Sequence, residues 1–251
     1  MSAPALEARG LIRHFGALVA TDDVSFAVQP GARQALIGPN GAGKTTLINL
    51  LTGVLKPTAG QVLLHGREVT HLASSARVRK GLSRTFQINQ LFPDLTPAES
   101  LGLAISESNG SGADFWRVAG GRPAIVAEIE DLLQRFGLEA DLDQPTRKLA
   151  YGKQRLLEIA LALATRPKVL LLDEPAAGVP EEERRDILAA LAALPSDVAI
   201  LLIEHDMDLV FNFATRISVL VAGRLLTEGA PDEIAADERV RAVYLGEDAH
   251  G

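Results

Sequence analysis

The 251-residue chain contains no cysteine, one tryptophan and two tyrosines. Without cysteine it can form neither a disulfide nor a thiolate metal site, which is compatible with a reducing compartment. It also lacks an excess of positive charge, because 25 Lys and Arg residues face 32 Asp and Glu residues and the net charge is −7. A chain with this balance has no global positive field that would attract nucleic acid.

Long hydrophobic runs are missing as well. No apolar stretch approaches the roughly 20 residues that a membrane-spanning helix requires. The amino terminus, MSAPALEARG, does not show the basic segment followed by an apolar one that is typical of an export signal. We therefore expect any role at a membrane to depend on partner proteins.

The most informative motif is a glycine-rich segment, GPNGAGKTT, at residues 38–46. An apolar run at 35–37 precedes it and an amphipathic stretch at 47–51 follows, so the motif joins a strand to a helix. Such a loop binds phosphate because its glycines let successive N–H groups point at the anion, and the helix dipole adds to the attraction. Lys44 is expected to reach the β- and γ-phosphates, and Thr45 to bind Mg²⁺. The nucleotide-binding residues predicted here are Gly38, Pro39, Asn40, Gly41, Ala42, Gly43, Lys44, Thr45 and Thr46.

The distribution of apolar residues predicts an α/β fold. Helical periodicity dominates from 96 to 165, and after Pro167 two buried strands, at 169–172 and 198–203, flank a helix at 182–194. This alternation indicates a parallel α/β core interrupted by a helical insertion. The first part of the chain contains short predicted strands at 5–12, 24–28, 32–37 and 61–64.

A second acidic motif follows the apolar run at 169–172. Asp173 and Glu174 come directly after this strand, at the end where open α/β sheets bind their ligands. Asp173 suits the Mg²⁺ shell, directly or through water. Glu174 is placed to orient or deprotonate the water that attacks the γ-phosphate.

The order of these motifs resembles the ATP-binding subunits of ABC transporters over nearly the whole chain. Gln87, in RTFQ, matches the family's glutamine that contacts Mg²⁺ and the attacking water. His205, in IEHDM, matches the switch histidine that contacts the γ-phosphate, and Phe15 matches the aromatic residue that stacks on adenine. The segment at 149–163 corresponds to the family signature. Its residues expected to face the nucleotide of a partner subunit are Leu149, Ala150, Tyr151, Gly152 and Lys153.

This resemblance implies a P-loop NTPase fold, in the form of an ABC-type nucleotide-binding domain. The domain would have a mixed sheet core, an antiparallel β subdomain and an inserted helical subdomain, and would span residues 1–251. Residues 1–86 and 166–251 would form the core with the β subdomain, and about 87–165 the helical subdomain. ATP and Mg²⁺ are the implied ligands, and ATP hydrolysis is the implied reaction. The implied catalytic residues are Glu174, His205 and Gln87, and the implied metal ligands are Thr45, Gln87 and Asp173.

Within the family, the chain is most similar to transporters for branched-chain and other hydrophobic amino acids. The similarity rests on Tyr151 in the signature, on AAG at 176–178, on the string IEHDMDLV and on the ending VYLG at 243–246. Members of this group also serve urea, short amides and aromatic acids, so the solute is inferred by analogy alone.

Two other functions stay open. One is lipopolysaccharide export, against which Tyr151 and the YLG ending argue. The other is a non-transport ABC ATPase that acts on nucleic acid, against which the acidic balance argues.

The resemblance also implies an assembly. Two ATPase subunits, identical or different, would pair head to tail with two ATP molecules between them, each under the signature helix of the other subunit. Two permeases would hold the pair at the cytoplasmic face of the inner membrane, and a solute-binding protein would act indirectly. A groove beside Gln87 and residues 91–93 would receive a permease helix. For Leu91 and Phe92, local packing of the loop is the alternative explanation.

The chain departs from the family pattern at three positions that would face the partner. Ala150 stands where the signature normally has Ser, Lys153 where it has Gln, and Pro180 where the following loop usually has Asp or Asn. The groups that would act on the chain's own nucleotide are all retained. We therefore expect one composite site to keep its full set of groups and the other to be weakened.

Overall fold

The computed structural model describes residues 3–85, 91–110 and 123–247. The chain divides into two compact units, the first formed by 1–82, 168–174 and 196–251, the second by 83–167 and 175–195. No helix in the described ranges is both long and apolar enough to cross a membrane. The subdomain boundaries expected from the sequence stay a prediction.

An antiparallel sheet of four strands lies in the first unit. The strands are β1 at Leu6–Phe15, β2 at Leu18–Val28, β4 at Ala59–Leu64 and β5 at Arg67–Glu68, in the order β2-β1-β4-β5. β1 and β2 form a hairpin whose pairing runs from Leu6 with Val28 to Phe15 with Leu18. The expected antiparallel β subdomain is thereby confirmed.

A second, mixed sheet has six strands. They are β3 at Arg33–Ile37, β6 at Leu82–Arg84, β7 at Val169–Asp173, β8 at Ala199–Ile203, β9 at Arg216–Val221 and β10 at Arg224–Gly229. Their order is β10-β9-β3-β8-β7-β6, with β3 parallel to both β8 and β9, and β7 parallel to β8. Every residue of β7 and β8 is buried, as expected for parallel strands covered on both faces. The predicted α/β fold class is confirmed.

Helices of the first unit complete its core. They are α1 at Lys44–Thr52, α2 at Ser74–Val78, α7 at Met207–Phe213, α8 at Pro231–Ala236 and α9 at Glu238–Glu247. Leu47 and Ile48 of α1 are fully buried and pack in one cluster with Leu171 of β7 and Leu201 of β8. This packing fixes α1 directly behind the strand that precedes it.

Beyond residues 83 and 84, which end β6, the described part of the second unit consists of helices and loops. Its helices are α3 at Pro97–Ser108, α4 at Pro123–Arg135, α5 at Tyr151–Ala164 and α6 at Glu181–Ala192. α3 begins with a capping box, in which the Thr96 hydroxyl accepts the Glu99 N–H and the Glu99 carboxylate accepts the Thr96 N–H. α3 packs on α4 and α5, and α5 packs on α6. The helical insertion expected from the periodicity is present here.

Candidate nucleotide site

The glycine-rich segment forms the loop between β3 and α1. Gly43 has φ 101°, and a Cβ built on it would lie 2.3 Å from the Ala20 carbonyl oxygen. Gly38 has φ 156°, and its Cβ would lie 2.1 Å from the Leu220 carbonyl oxygen. Backbone oxygens at these distances leave no room for any side chain. Gly41 has φ 76° but nothing within 4 Å of such a Cβ, so only its backbone conformation favours glycine.

Hydrogen bonds hold this loop in place at several points. The Ala42 N–H donates to the Pro39 oxygen at 3.2 Å, and the Gly223 N–H donates to the Ala42 oxygen at 2.8 Å. Lys44 Nζ lies across the loop, where it donates to the Gly38 oxygen and, at 3.0 Å, to the Pro39 oxygen. Its ammonium is therefore on the side of the loop where a phosphate group would be bound.

The N-terminus of α1 faces the same region. The first helical hydrogen bond runs from the Leu47 N–H to the Gly43 oxygen, at 2.9 Å. The N–H groups of residues 44–46 therefore precede it, which is the arrangement that makes a helix N-terminus an anion site. Thr45 is exposed at this end of the helix, so its hydroxyl is accessible to a metal ion.

Two acidic residues lie at the carboxyl end of β7. Asp173 is the last residue of β7 and only 3% exposed. Glu174 follows with φ 48°, a left-handed conformation that is uncommon for a residue with a side chain. Its N–H donates to the Ile203 oxygen at 2.9 Å, which ties the end of β7 to the end of β8. Backbone strain of this kind concentrates at functional sites.

His205 lies two residues beyond β8, beside Glu174. Its Nδ1 is 3.8 Å from Glu174 Oε1, and 64% of its side chain is exposed. Because β3, β8 and β7 are adjacent parallel strands, the phosphate loop, His205 and the two acidic residues all lie at one edge of the sheet. This is the edge where open α/β sheets bind ligands.

Phe15, predicted to stack on adenine, lies at the tip of the β1–β2 hairpin and is 42% exposed. The guanidinium of Arg13 covers one face of its ring, at 4.6 Å from the centroid. β2 approaches the phosphate loop at Ala20, next to Gly43. The hairpin tip therefore presents an exposed aromatic ring close to the loop, and Arg13 limits stacking to the other face.

The signature residues begin α5 in the second unit. Ala150 is the N-cap and makes no side-chain capping bond. The Gly152 N–H donates to Glu183 Oε2 at 2.7 Å, and a Cβ on Gly152 would lie 2.2 Å from that oxygen. Lys153 Nζ is paired with Asp141 Oδ2. Pro180 is the N-cap of α6.

Two further predictions concern residues near position 87. Gln87 itself lies outside the described residues. Phe92, expected in a groove for a permease helix, is 64% exposed, and Leu91 is half-buried. Phe92 is thus little packed within the described part of the loop, and the permease groove stays a prediction.

Sequence reasoning missed three side chains that act on these residues. Arg13 lies over Phe15, Glu183 binds the Gly152 N–H, and Glu204 binds the backbone of His205. For Glu204 the sequence shows its place directly after an apolar strand but not its burial, which depends on the turn that follows. The position of Arg13 over Phe15 follows from the length of the hairpin, and the position of Glu183 beside Gly152 follows from the packing of α6 on α5. The sequence alone shows neither.

Comparisons with known proteins agree with this arrangement. A family model described as "ABC transporter" matches residues 21–177, and one described as "Branched-chain amino acid ATP-binding cassette transporter" matches residues 224–250. The chain is 40% identical to the high-affinity branched-chain amino acid transport ATP-binding protein BraF of Pseudomonas aeruginosa, with 98% of this chain and 100% of BraF covered. It is 39% identical to LivG of Escherichia coli K12, a protein of the same description, with the same coverage.

A solved structure shows the same fold. The ADP conformation of an ATP-binding cassette of an ABC transporter is 30% identical, covers 98% of this chain and 100% of its own, and superposes with a TM-score of 0.82. The resemblance expected from the sequence is confirmed. The chain belongs to the ABC transporter family as an ATP-binding subunit, and it binds and hydrolyses ATP.

Proposed function

We propose that this subunit drives the uptake of branched-chain amino acids, or of a related small solute, by an ABC importer. The observation that carries the proposal is the match of residues 224–250 to the family model for branched-chain amino acid cassettes. The names of BraF and LivG, which are related over 98% of this chain, support the same solute class. The solute would contact the permeases and a solute-binding protein, not this subunit.

ATP would lie with its phosphates on the loop between β3 and α1. The N–H groups at the start of α1 and the ammonium of Lys44, which lies across the loop, would face the β- and γ-phosphates. Phe15 offers one exposed ring face for the adenine. These contacts bind and orient the nucleotide before any chemistry takes place.

Mg²⁺ fits the donors at this edge of the sheet. The Thr45 hydroxyl and the Asp173 carboxylate are hard oxygen donors of the kind that Mg²⁺ prefers, and they would hold the ion beside the phosphates. Gln87 is proposed as a further ligand. When bound, Mg²⁺ neutralises charge that develops on the phosphates.

Glu174 would accept a proton from the attacking water. Its carboxylate is 24% exposed, so water reaches it. His205, 3.8 Å from Glu174, would contact the γ-phosphate and so report whether ATP or ADP is bound.

The proposed assembly is a head-to-tail pair with a second ATPase subunit, identical or different. Each signature helix would meet the γ-phosphate on the other subunit, so that the pair closes on ATP and opens after hydrolysis. Two permeases would hold the pair at the cytoplasmic face of the inner membrane. Exposed Phe92 is available to a permease helix.

Uptake in cells tests this proposal. Deleting the gene should remove saturable uptake of labelled leucine, isoleucine and valine, and the wild-type gene should restore it, whereas Lys44→Ala should not. Lys168→Ala is the matched control, because this exposed lysine pairs only loosely with Asp197, at 3.6 Å. Unchanged uptake of these and related small solutes, with lipopolysaccharide retained in the inner membrane, would support the export alternative.

A further inference from the structure

Glu204 is a buried acidic residue that the proposed mechanism does not use. It directly follows β8, and only 1% of its surface is exposed, although glutamate is rarely fully buried. Its Oε2 accepts the N–H of His205 at 3.0 Å and lies 3.4 Å from the N–H of Asp206. The carboxylate therefore lies beneath the turn that carries His205.

This turn is held at both ends by bonds between side chains and backbone. At the start of the turn, the Glu204 carboxylate accepts the His205 N–H. At its end, Asp206 caps α7 by accepting the Leu209 N–H at 3.1 Å. The Ile203 oxygen, directly before the turn, accepts the Glu174 N–H. The backbone at His205 is thus fixed relative to Glu174 by contacts that all lie within the first unit.

The imidazole of His205 has little support of its own. It is 64% exposed, and its Nδ1 lies 3.8 Å from Glu174 Oε1 and 3.8 Å from Glu204 Oε2. Both distances exceed hydrogen-bonding range. The position of the ring therefore depends on the backbone of the turn, and hence on the carboxylate beneath it.

We propose that Glu204 is a positioning residue, whose buried carboxylate fixes the turn after β8 so that His205 is presented beside Glu174. The inference rests on the role proposed above for His205. A carboxylate suits this task because its oxygens accept hydrogen bonds from the N–H groups of the turn. Glutamine keeps one acceptor oxygen, and alanine removes the acceptor altogether.

Single-turnover hydrolysis of MgATP by the full chain tests the inference. Glu204→Ala should slow hydrolysis about 10- to 100-fold, the range expected when a reacting group moves by about 1 Å. Glu204→Gln should recover part of this loss. ATP affinity, measured with a fluorescent ATP analogue, should stay within about twofold, because the phosphate loop is held by other bonds.

A double-mutant cycle separates positioning from general destabilisation. If Glu204 acts through His205, Glu204→Ala should cause no further loss in a His205→Ala chain. Glu228→Gln is the matched control, since this carboxylate of the same unit binds the Ser218 hydroxyl at 2.7 Å and not the turn. It should hydrolyse ATP at the wild-type rate.

The outcomes are distinguishable. Two results would overturn this inference but leave the role of His205 intact. One is that Glu204→Ala slows hydrolysis equally in the wild-type and the His205→Ala chain. The other is that both Glu204 variants hydrolyse ATP at the wild-type rate while His205→Ala is slow. Wild-type hydrolysis by His205→Ala would overturn the role proposed for His205, and the inference with it. If Glu204→Ala does not fold, the same comparison is made with Glu204→Gln, measured once in the wild-type chain and once in the His205→Ala chain.

Discussion

At the residue scale, Glu174 combines a left-handed backbone with a half-buried carboxylate at the edge of the sheet. Glu174→Gln keeps the size of the side chain and its contacts but cannot accept a proton. We expect hydrolysis to fall by about 10²- to 10⁴-fold, the usual contribution of a positioned base, while ATP still binds. Rapid-quench hydrolysis and equilibrium binding of an ATP analogue would measure the two effects.

Two comparisons support the interpretation of that variant. Lys44→Ala should weaken ATP binding itself, because it removes the ammonium that lies across the phosphate loop. Glu181→Gln, in the exposed first turn of α6, should change neither quantity. Near-normal hydrolysis by Glu174→Gln would remove Glu174 from the role of base.

Much of the candidate site could be predicted from the sequence, because its groups follow strands directly. Lys44, Glu174 and His205 were each predicted from motif and order, and adjacent parallel strands bring them to one edge. Glu204 could not be assigned in this way. Whether a carboxylate after a strand points inward depends on the turn that follows, and no local pattern encodes the bonds from His205 and Asp206.

At the scale of elements, the phosphate loop depends on close contact with β2. Gly43→Ala places a methyl group on the Ala20 oxygen and strains a backbone at φ 101°. The loop must then move, and we expect ATP affinity to fall at least about 10-fold, the effect of about 1.4 kcal/mol. Gly41→Ala is the matched comparison, because it adds the same methyl group in open space and should cost less. Equal losses would show that backbone conformation alone matters.

The opposite end of α1 is held by a buried arginine. Arg77 is 1% exposed and donates to the oxygens of Leu50 and Leu51 in the last turn of α1, at 2.8 and 2.5 Å. It also donates to the oxygens of Thr70 and Leu72. A cation at this end complements the helix dipole and satisfies carbonyls that lack helical partners.

Arg77→Met should therefore lower the free energy of unfolding by about 3 kcal/mol or more, since it leaves several buried carbonyls without donors. Urea unfolding would measure this, with exposed Arg79→Met in the same region as the control. Burial lowers the pKa of Arg77 to about 10, well below the ordinary value of an arginine, so the folded state loses the proton first. Below about pH 9 both states keep it, and the loss caused by Arg77→Met should not vary with pH between 6 and 8.

The elements themselves were largely predictable, with one instructive difference. Strands were expected at 5–12 and 24–28, yet β1 extends to Phe15 and β2 begins at Leu18. The intervening sequence contains a glycine and two aspartates, residue types that are uncommon in strands. Pairing across the hairpin overrides these local preferences, and sequence periodicity does not report such pairing.

At the scale of the whole molecule, the structure bears on how two ATP sites would differ. The signature helix of this chain has no capping hydroxyl at Ala150, and Glu183 already binds the Gly152 N–H. The ammonium of Lys153 could have replaced the missing hydroxyl contact to a γ-phosphate, but it is paired with Asp141. A γ-phosphate on the partner subunit would thus meet fewer donors and a nearby carboxylate, which repels it.

We therefore expect the site under this signature to hydrolyse ATP slowly, and the site built on Lys44 and Glu174 to carry most turnover. A serine hydroxyl bound to a charged phosphate contributes about 1.5 to 3 kcal/mol, or roughly 10- to 150-fold in rate. In a transporter with a different partner ATPase, Glu174→Gln should abolish transport, whereas the matching change in the partner should be milder. Ala150→Ser should raise hydrolysis at the weak site. Equal loss of transport from both glutamate changes, with no effect of Ala150→Ser, would show that the remaining backbone N–H groups of the signature helix suffice.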